Sequence, residues 1–68
     1  MNIYVNGEPR QVPAAARLLA VLEVPDGAPA PRGIAVALDG TVVPRAELSQ
    51  TNLHEGARVE IVTAVQGG

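Results

Sequence analysis

The sequence predicts a small α+β domain in which one helix packs on a mixed sheet of four to five strands. Three observations support this prediction. The chain has only 68 residues, apolar residues alternate near both of its ends, and a segment of helical spacing lies between them. Hydrophobic residues make up 47% of the chain but include a single aromatic, Tyr4, so we expect one domain, residues 1–68, with an aliphatic core.

The first hairpin is predicted at the start of the chain. Ile3 and Val5 alternate with residues of the opposite face, as in a strand with one buried side. Asn6-Gly7 follows and predicts a type I′ turn, because both central residues of that turn need a positive φ. The return strand, 8–12, contains Pro9, which cannot donate a hydrogen bond to a neighbour and therefore belongs at a sheet edge.

The segment 13–23 is the predicted helix. Its apolar residues recur at helical spacing, and alanine and leucine are strong helix formers: Ala15, Leu18, Leu19 and Leu22. Pro13 suits the first turn, where its missing N–H costs nothing, but no Ser, Thr or Asp precedes it as a cap. Prolines and glycines then recur through 25–33, which predicts a semi-rigid loop.

A second hairpin is predicted after this loop. The apolar residues of its first strand alternate with small alanines: Ile34, Val36 and Leu38. Asp39-Gly40 predicts the turn, and the strand 41–43 returns before Pro44 ends it. The following segment, 46–52, is expected to be irregular or a short helical turn.

The rest of the chain is predicted to complete the core and the sheet. Leu48 and Leu53 are available to fill the core, and the last strand is expected over 58–65. From this order of elements we infer that the first and last strands pair in parallel at the sheet centre. That arrangement is a β-grasp fold of the ubiquitin-like type. The chain would then leave the sheet from a central strand and end as a flexible tail, 65–68.

Composition excludes several classes of function. The chain has no cysteine and thus no disulfides, and its one histidine, His54, cannot build a structural zinc site alone. The five basic residues are spread along a chain of net charge −2 that lacks stacking aromatics, which argues against nucleic acid binding. No apolar run reaches the about 18 residues of a membrane span, and no signal is visible at the start. We therefore expect a cytoplasmic protein without a bound metal.

The terminal carboxylate is the main chemical candidate. The side-chain carboxylates are scattered and His54 is expected to be a solvent-facing turn residue, so we expect a carrier and not an enzyme, with no bound cofactor. Without side chains, Gly67 and Gly68 can enter a narrow channel and leave the terminal carbonyl unhindered. From Val65 onward the tail reaches about 13 Å at ~3.3 Å per residue, enough to enter a partner's active site.

Four stretches carry a resemblance to a known family: residues 3–7, 35–40, 42–45 and 59–68. The last is the most specific, because the resemblance runs along its whole length to the Ala-Val-Gln-Gly-Gly ending and does not rest on the Gly-Gly pair alone. On these stretches the chain resembles the ThiS family, the sulfur carriers of thiamine-thiazole biosynthesis. The resemblance covers essentially the whole chain and implies the β-grasp fold.

The resemblance also implies a mechanism. An E1-like adenylating enzyme would use ATP to convert the Gly68 carboxylate into an acyl-adenylate. Sulfur, delivered from cysteine through a desulfurase relay, would then displace AMP and leave a thiocarboxylate. Thiazole synthase would take that sulfur for the ring, with Val65, Gln66 and Gly67 entering the partner's active site.

A docking face for these partners is predicted on the sheet. Small apolar side chains form a flat patch there, although ordinary sheet packing explains them as well: Ala35, Ala37, Val62 and Ala64. Arg45 could pair with a partner carboxylate or lie in solvent. Three other functions stay open, namely a sulfur carrier for molybdopterin synthesis, a ubiquitin-like protein modifier, and an interaction domain with an idle tail.

Overall fold

The fold is a five-stranded mixed sheet covered on one face by two short 3₁₀ helices, as a computed structural model describes it for residues 1–22 and 32–63. The strands are β1 Asn2–Val5, β2 Glu8–Gln11, β3 Ile34–Leu38, β4 Thr41–Val43 and β5 Arg58–Thr63. The first 3₁₀ helix is Leu18–Leu22 and the second is Arg45–Gln50.

The sheet has the order β2-β1-β5-β3-β4, so the last strand lies in the middle. β5 runs parallel to β1, with Tyr4 opposite Arg58 and Val5 opposite Val59. On its other side β5 is antiparallel to β3, from Ile34 opposite Thr63 onward. The parallel pairing of first and last strands at the centre is therefore confirmed, and the fold is the predicted β-grasp.

Both predicted hairpin turns are confirmed. Asn6 and Asp39 each have a φ of 51°, and the glycines after them have φ values of 84° and 87°. Positive φ at both central positions is the type I′ geometry, whose twist matches that of the flanking strands. Pro9 lies in β2 at the sheet edge, as predicted, where its missing N–H leaves no partner strand unsatisfied.

The predicted helix differs from the observed one in its start and its type. Regular helical structure begins at Leu18 and not at Pro13, and its hydrogen bonding is 3₁₀ over the described residues. The segment has no polar cap to start a helix earlier, and the Leu18 N–H donates instead to the Thr51 carbonyl at 2.8 Å. Buried residues in this helix are Leu18 and Val21, three apart, as the three-residue 3₁₀ turn requires, and Ala15 is exposed.

The core lies between the helices and one face of the sheet. Its buried members are all aliphatic, as expected from the composition: Ile3, Val5, Leu18, Val21, Val36, Leu48, Leu53, Ala57 and Val59. Leu48 and Leu53 therefore fill the core as predicted, and the second 3₁₀ helix is the expected short helical turn. Since side chains alternate along a strand, the opposite face of the sheet is left to solvent.

Two predictions fall on other parts of the chain. The loop of 25–33 lies mostly outside the described residues, as do positions 64 and 65 of the predicted last strand.

Over 1–22 and 32–63, no helix is long and apolar enough to cross a membrane. The same residues contain no cluster of three or more acidic or imidazole side chains that could hold a metal ion.

Candidate functional site: the central strand and the open sheet face

The tail begins where β5 ends. β5 carries the chain through the middle of the sheet to Thr63, which lies opposite Ile34 of β3. The predicted tail residues Val65, Gln66, Gly67 and Gly68, together with Ala64, lie outside the described residues. The structure therefore defines the base of the tail, residues 61–63, and the strands that hold it.

The Asn6 side chain binds the backbone of β5 at the first residue of this base. Its Oδ1 accepts a hydrogen bond from the Ile61 N–H at 2.8 Å, and its Nδ2 donates to the Ile61 carbonyl at 3.4 Å. The Asn6 backbone N–H donates to the Val59 carbonyl at 2.8 Å. Asn6 therefore has two roles. It forms the predicted hairpin turn after β1, and its side chain and backbone also bind β5.

The Asp39 side chain binds β5 at its other end. Its Oδ1 accepts a hydrogen bond from the Arg58 N–H at 2.9 Å, and its backbone N–H donates to the Arg58 carbonyl at 2.8 Å. Its Oδ2 lies 2.6 Å from Nε2 of His54, which belongs to the turn before β5. The central strand is therefore held by the side chains of two hairpin turns, one on each flank.

The contacts of His54 favour its charged form. Nε2 faces a carboxylate, and Nδ1 lies 2.9 Å from the Glu55 carbonyl, so both partners are acceptors and both ring nitrogens must carry a proton. The hydrogen bond with Asp39, followed by that with Glu55, raises the pKa of His54 above its usual value. The His54 hydrogen bond, followed by the Arg58 N–H, lowers the pKa of Asp39. This exposed pair is a turn contact, consistent with the predicted role of His54.

Three of the predicted docking residues lie together on the open face. Ala35 is opposite Val62, and Ala37 is opposite Glu60, two residues along the same two strands. Their side chains alternate with the buried Val36 and Val59, so they point away from the core. The sequence pattern therefore grouped these residues correctly, although their use by a partner is a separate question.

Two further apolar residues lie on this face and were not predicted as part of it. Val42 of β4 is opposite Ala37 and is 68% exposed, and Tyr4 of β1 is 44% exposed. With Val62, at 60%, they are all the large exposed hydrophobic residues among those the structure describes. We call Tyr4, Ala35, Ala37, Val42 and Val62 the open-face patch. Strand alternation places Tyr4 opposite to Ile3 and Val5, and this signal could have identified it.

Arg45 lies in a different layer. It opens the second 3₁₀ helix, which packs on the covered face through Leu48. The structure therefore does not bring Arg45 together with the open-face patch. Charge on the open face comes instead from Arg58 and Glu60 of β5, which line a shallow groove together with Tyr4, Asn6, Gly7 and Val59.

The fold and the central position of its last strand define a class of protein. A β-grasp sheet whose last strand is central is typical of ubiquitin-like proteins. The chain matches the ThiS family over residues 3–68 and belongs to that family. Members of the family are small sulfur carriers of thiamine biosynthesis.

A solved structure supports this assignment. The crystal structure of a thiamine biosynthesis protein (ThiS) from Geobacter metallireducens is similar to this chain, with a TM-score of 0.74 and 29% sequence identity. The similarity covers 100% of both chains. No curated protein matches the sequence significantly.

Proposed function

We propose that the Gly68 carboxylate carries the sulfur that is built into the thiazole ring of thiamine. In the first step a carboxylate oxygen of Gly68 attacks the α-phosphorus of ATP on an E1-like adenylating enzyme, and pyrophosphate leaves. The acyl-adenylate that forms has AMP as a good leaving group. The carrier itself binds no cofactor in this scheme, since the ATP belongs to the partner.

Sulfur replaces AMP in the second step. A sulfur nucleophile attacks the Gly68 carbonyl, AMP leaves, and the terminal carboxylate becomes a thiocarboxylate. If the donor is a persulfide, a thiol must then break the sulfur–sulfur bond and leave as part of a disulfide. The thiocarboxylate is the nucleophile from which thiazole synthase takes the sulfur. Because ATP and the partner enzymes are required, we propose that the carrier works in the cytoplasm.

The observation that carries this proposal is the family match, which continues to the last residue, Gly68. The central position of β5, parallel to β1 and antiparallel to β3, supports it, because a central strand is anchored on both sides and its pairing with β3 continues to Thr63, at the base of the proposed tail. Two terminal glycines suit a segment that must enter a narrow active site, since neither has a Cβ.

Composition also supports Gly68 as the loaded residue. The chain has no cysteine, so no side-chain thiol could carry sulfur as a persulfide. It has no lysine either, so the amine that ubiquitin-like modifiers use to form chains on themselves is absent. A carrier that moves one sulfur atom needs neither group.

The open-face patch is our candidate for the surface that partners bind. Four of its five apolar side chains are exposed and Ala37 is half-buried, and the patch reaches the base of the tail through Val62. A partner that covers Ala35, Ala37 and Val62 would hold the domain while the tail enters its active site. Ala64 lies outside the described residues and is included on the sequence pattern alone, and Arg45 would contribute only to a partner that also reaches the helical layer.

The proposal is tested by the intact mass of the carrier. Protein isolated from thiamine-starved cells should contain a fraction heavier by the difference between one sulfur and one oxygen atom. A variant lacking Gly68 should fold normally and lose this fraction, because the described core and the side chains packed against it include no residue beyond Ile61. An unchanged mass in starved cells that contain the adenylating enzyme and the desulfurase would contradict the proposal.

Three further measurements separate the alternatives. Co-purification with thiazole synthase supports the thiamine role, and co-purification with a molybdopterin synthase subunit would replace it by the molybdenum branch. A ladder of high-mass adducts on denaturing gels would indicate a protein modifier. Loss of thiazole formation on deletion of Gly68 excludes an interaction domain with an idle tail.

A further inference from the structure

We infer that Asn6 is a positioning residue for the C-terminal tail, and this inference rests on the proposed function. Its side-chain amide extends the pairing of β5 beyond the last residue of β1, at the point where the central strand leads into the tail. Asn6 is separated from Ile61 by 55 positions in the sequence, so only the parallel fold brings the two together.

The backbone hydrogen bonds between the parallel strands β1 and β5 show which bond the Asn6 side-chain amide replaces. Tyr4 donates its N–H to the Ala57 carbonyl, and Asn6 donates to the Val59 carbonyl, both at 2.8 Å. If β1 continued, the Asn6 backbone carbonyl would accept the next bond, from the Ile61 N–H. The chain turns at Asn6 instead, with a φ of 51°, and Oδ1 of the same residue accepts that bond at 2.8 Å.

The second contact of the Asn6 amide replaces a second backbone hydrogen bond that a longer β1 would form with β5. Nδ2 donates to the Ile61 carbonyl at 3.4 Å, where a further strand residue would have offered its N–H. This bond is longer than the usual N–H···O range of about 2.7–3.2 Å and is therefore weak, whereas the one to Oδ1 is of ordinary length. One side chain thus satisfies both backbone groups of Ile61 on the flank of β5 that faces β1.

This contact lies close to the tail. Ile61 is two residues before Thr63, where β5 ends, and seven before Gly68. Its other flank is held by β3, in which Val36 is opposite Ile61. With Asn6 in place, the base of the tail is bonded on both flanks, which limits the directions in which the following residues can leave the sheet. A tail that starts in the right direction enters the adenylating site more often once the domain has docked.

Asp39 supplies a matched control from the other hairpin. It has the same φ of 51°, precedes a glycine in the same type of turn, and also bonds the backbone of β5 through its side chain. Its bond, however, is to Arg58 at the start of β5, on the opposite flank and five residues before Thr63. Replacing Asp39 therefore weakens the hold on β5 without affecting the base of the tail.

The experiment compares Asn6→Gly, Asn6→Asp and Asp39→Gly with the wild-type chain. Glycine accepts the positive φ, so the turn survives while the side-chain bonds are lost. Aspartate also tolerates this φ and keeps an acceptor for the Ile61 N–H. Pyrophosphate release by the adenylating enzyme is measured against carrier concentration, and amide hydrogen exchange at Ile61 is measured in the carrier alone.

We expect Asn6→Gly to lower kcat about 3- to 10-fold with little change in KM, since one exposed hydrogen bond shifts a population by about that factor. The docked domain binds as before, but its tail enters less often. Asn6→Asp should stay within about twofold of wild type, because the shorter bond is kept. Asp39→Gly should keep the wild-type kcat, and any unfolded fraction should appear only as a higher KM. Faster exchange at Ile61 should occur in Asn6→Gly alone.

Three results would overturn the inference: a wild-type kcat for Asn6→Gly, an equal fall in kcat for Asp39→Gly, or unchanged exchange at Ile61. Failure of the proposed function is distinguishable from these. It would appear as an absence of pyrophosphate release with the wild-type carrier itself, and it would remove the role of Asn6 in adenylation even if Ile61 exchange changed as expected.

Discussion

The two faces of the sheet are built from the same strands and serve different purposes. On the covered face Val36 and Val59 are each 1% exposed and pack under the 3₁₀ helices. On the open face of the same sheet, Val42 of β4 and Val62 of β5 are 68% and 60% exposed. Valine is therefore a core residue on one face and a surface residue on the other, and strand alternation alone decides which.

Because of this difference in exposure, we expect the covered face to determine folding stability and the open face to determine partner binding. A chain of 68 residues has a thin core, so each buried aliphatic side chain contributes a large share of the folding free energy. Apolar residues that stay in solvent contribute little to folding, and an exposed apolar patch commonly marks an interaction surface. The covered face should thus be sensitive to small changes, whereas the open face should tolerate them until a partner is present.

The largest effect is expected from one substitution made on each face. Val36→Ala removes a buried branched side chain and should lower the free energy of unfolding by about 2–3 kcal/mol, from lost burial and the cavity left behind. Val42→Ala, on the adjacent strand, should change it by less than about 1 kcal/mol. Urea unfolding followed by circular dichroism measures both, and equal losses would show that the two faces do not differ as described.

A smaller effect is expected within β5 itself. Val59→Thr buries a hydroxyl without a prepared partner and should lower the free energy of unfolding by about 1–3 kcal/mol. Val62→Thr keeps a β-branched residue in solvent and should leave that free energy nearly unchanged. Partner binding, in contrast, should be sensitive to Val62. If the open-face patch is the docking surface, Val62→Thr should raise the KM for the carrier about 3- to 10-fold at unchanged kcat. An unaltered KM would exclude Val62 from that surface.

Much of the fold was predictable because its signals are local. Alternation identified the strands, and Asn6-Gly7 and Asp39-Gly40 identified the turns, since few residues other than glycine and asparagine or aspartate tolerate their φ values. The helix was less predictable. Its start at Leu18 depends on a bond to the Thr51 carbonyl, a tertiary contact that no local pattern encodes.

The candidate site was predictable only in part, for a similar reason. Ala35, Ala37 and Val62 could be grouped from alternation, whereas Val42 joins them through the β3–β4 register. The contact of Asn6 with Ile61 depends on the parallel pairing of two strands at opposite ends of the chain. A turn asparagine gives no sequence signal that distinguishes it from one whose side chain supports another strand.

The smallest effect on stability is expected at the turn between β3 and β4, where Asp39 pairs with His54. The raised pKa of His54 means that the folded state holds its proton more tightly than the unfolded chain does. This contribution is complete below about pH 6.5, the unfolded value, and is lost as the pH rises through the higher folded pKa. The lowered pKa of Asp39 adds a contribution that is complete above about pH 4 and is lost as the pH falls through the lower folded pKa. Stability should therefore be greatest between these limits.

Exposure keeps this effect small, because the two side chains are 59% and 45% exposed and salt screens their attraction. The urea midpoint should fall slightly from pH 6 to pH 9, and less so at high salt. His54→Gln should remove the fall, since glutamine does not titrate. A fall of the same size in His54→Gln would assign the pH dependence to another group. A fall as large as the loss from Val36→Ala would mean that this exposed contact, and not the covered face alone, holds the sheet together.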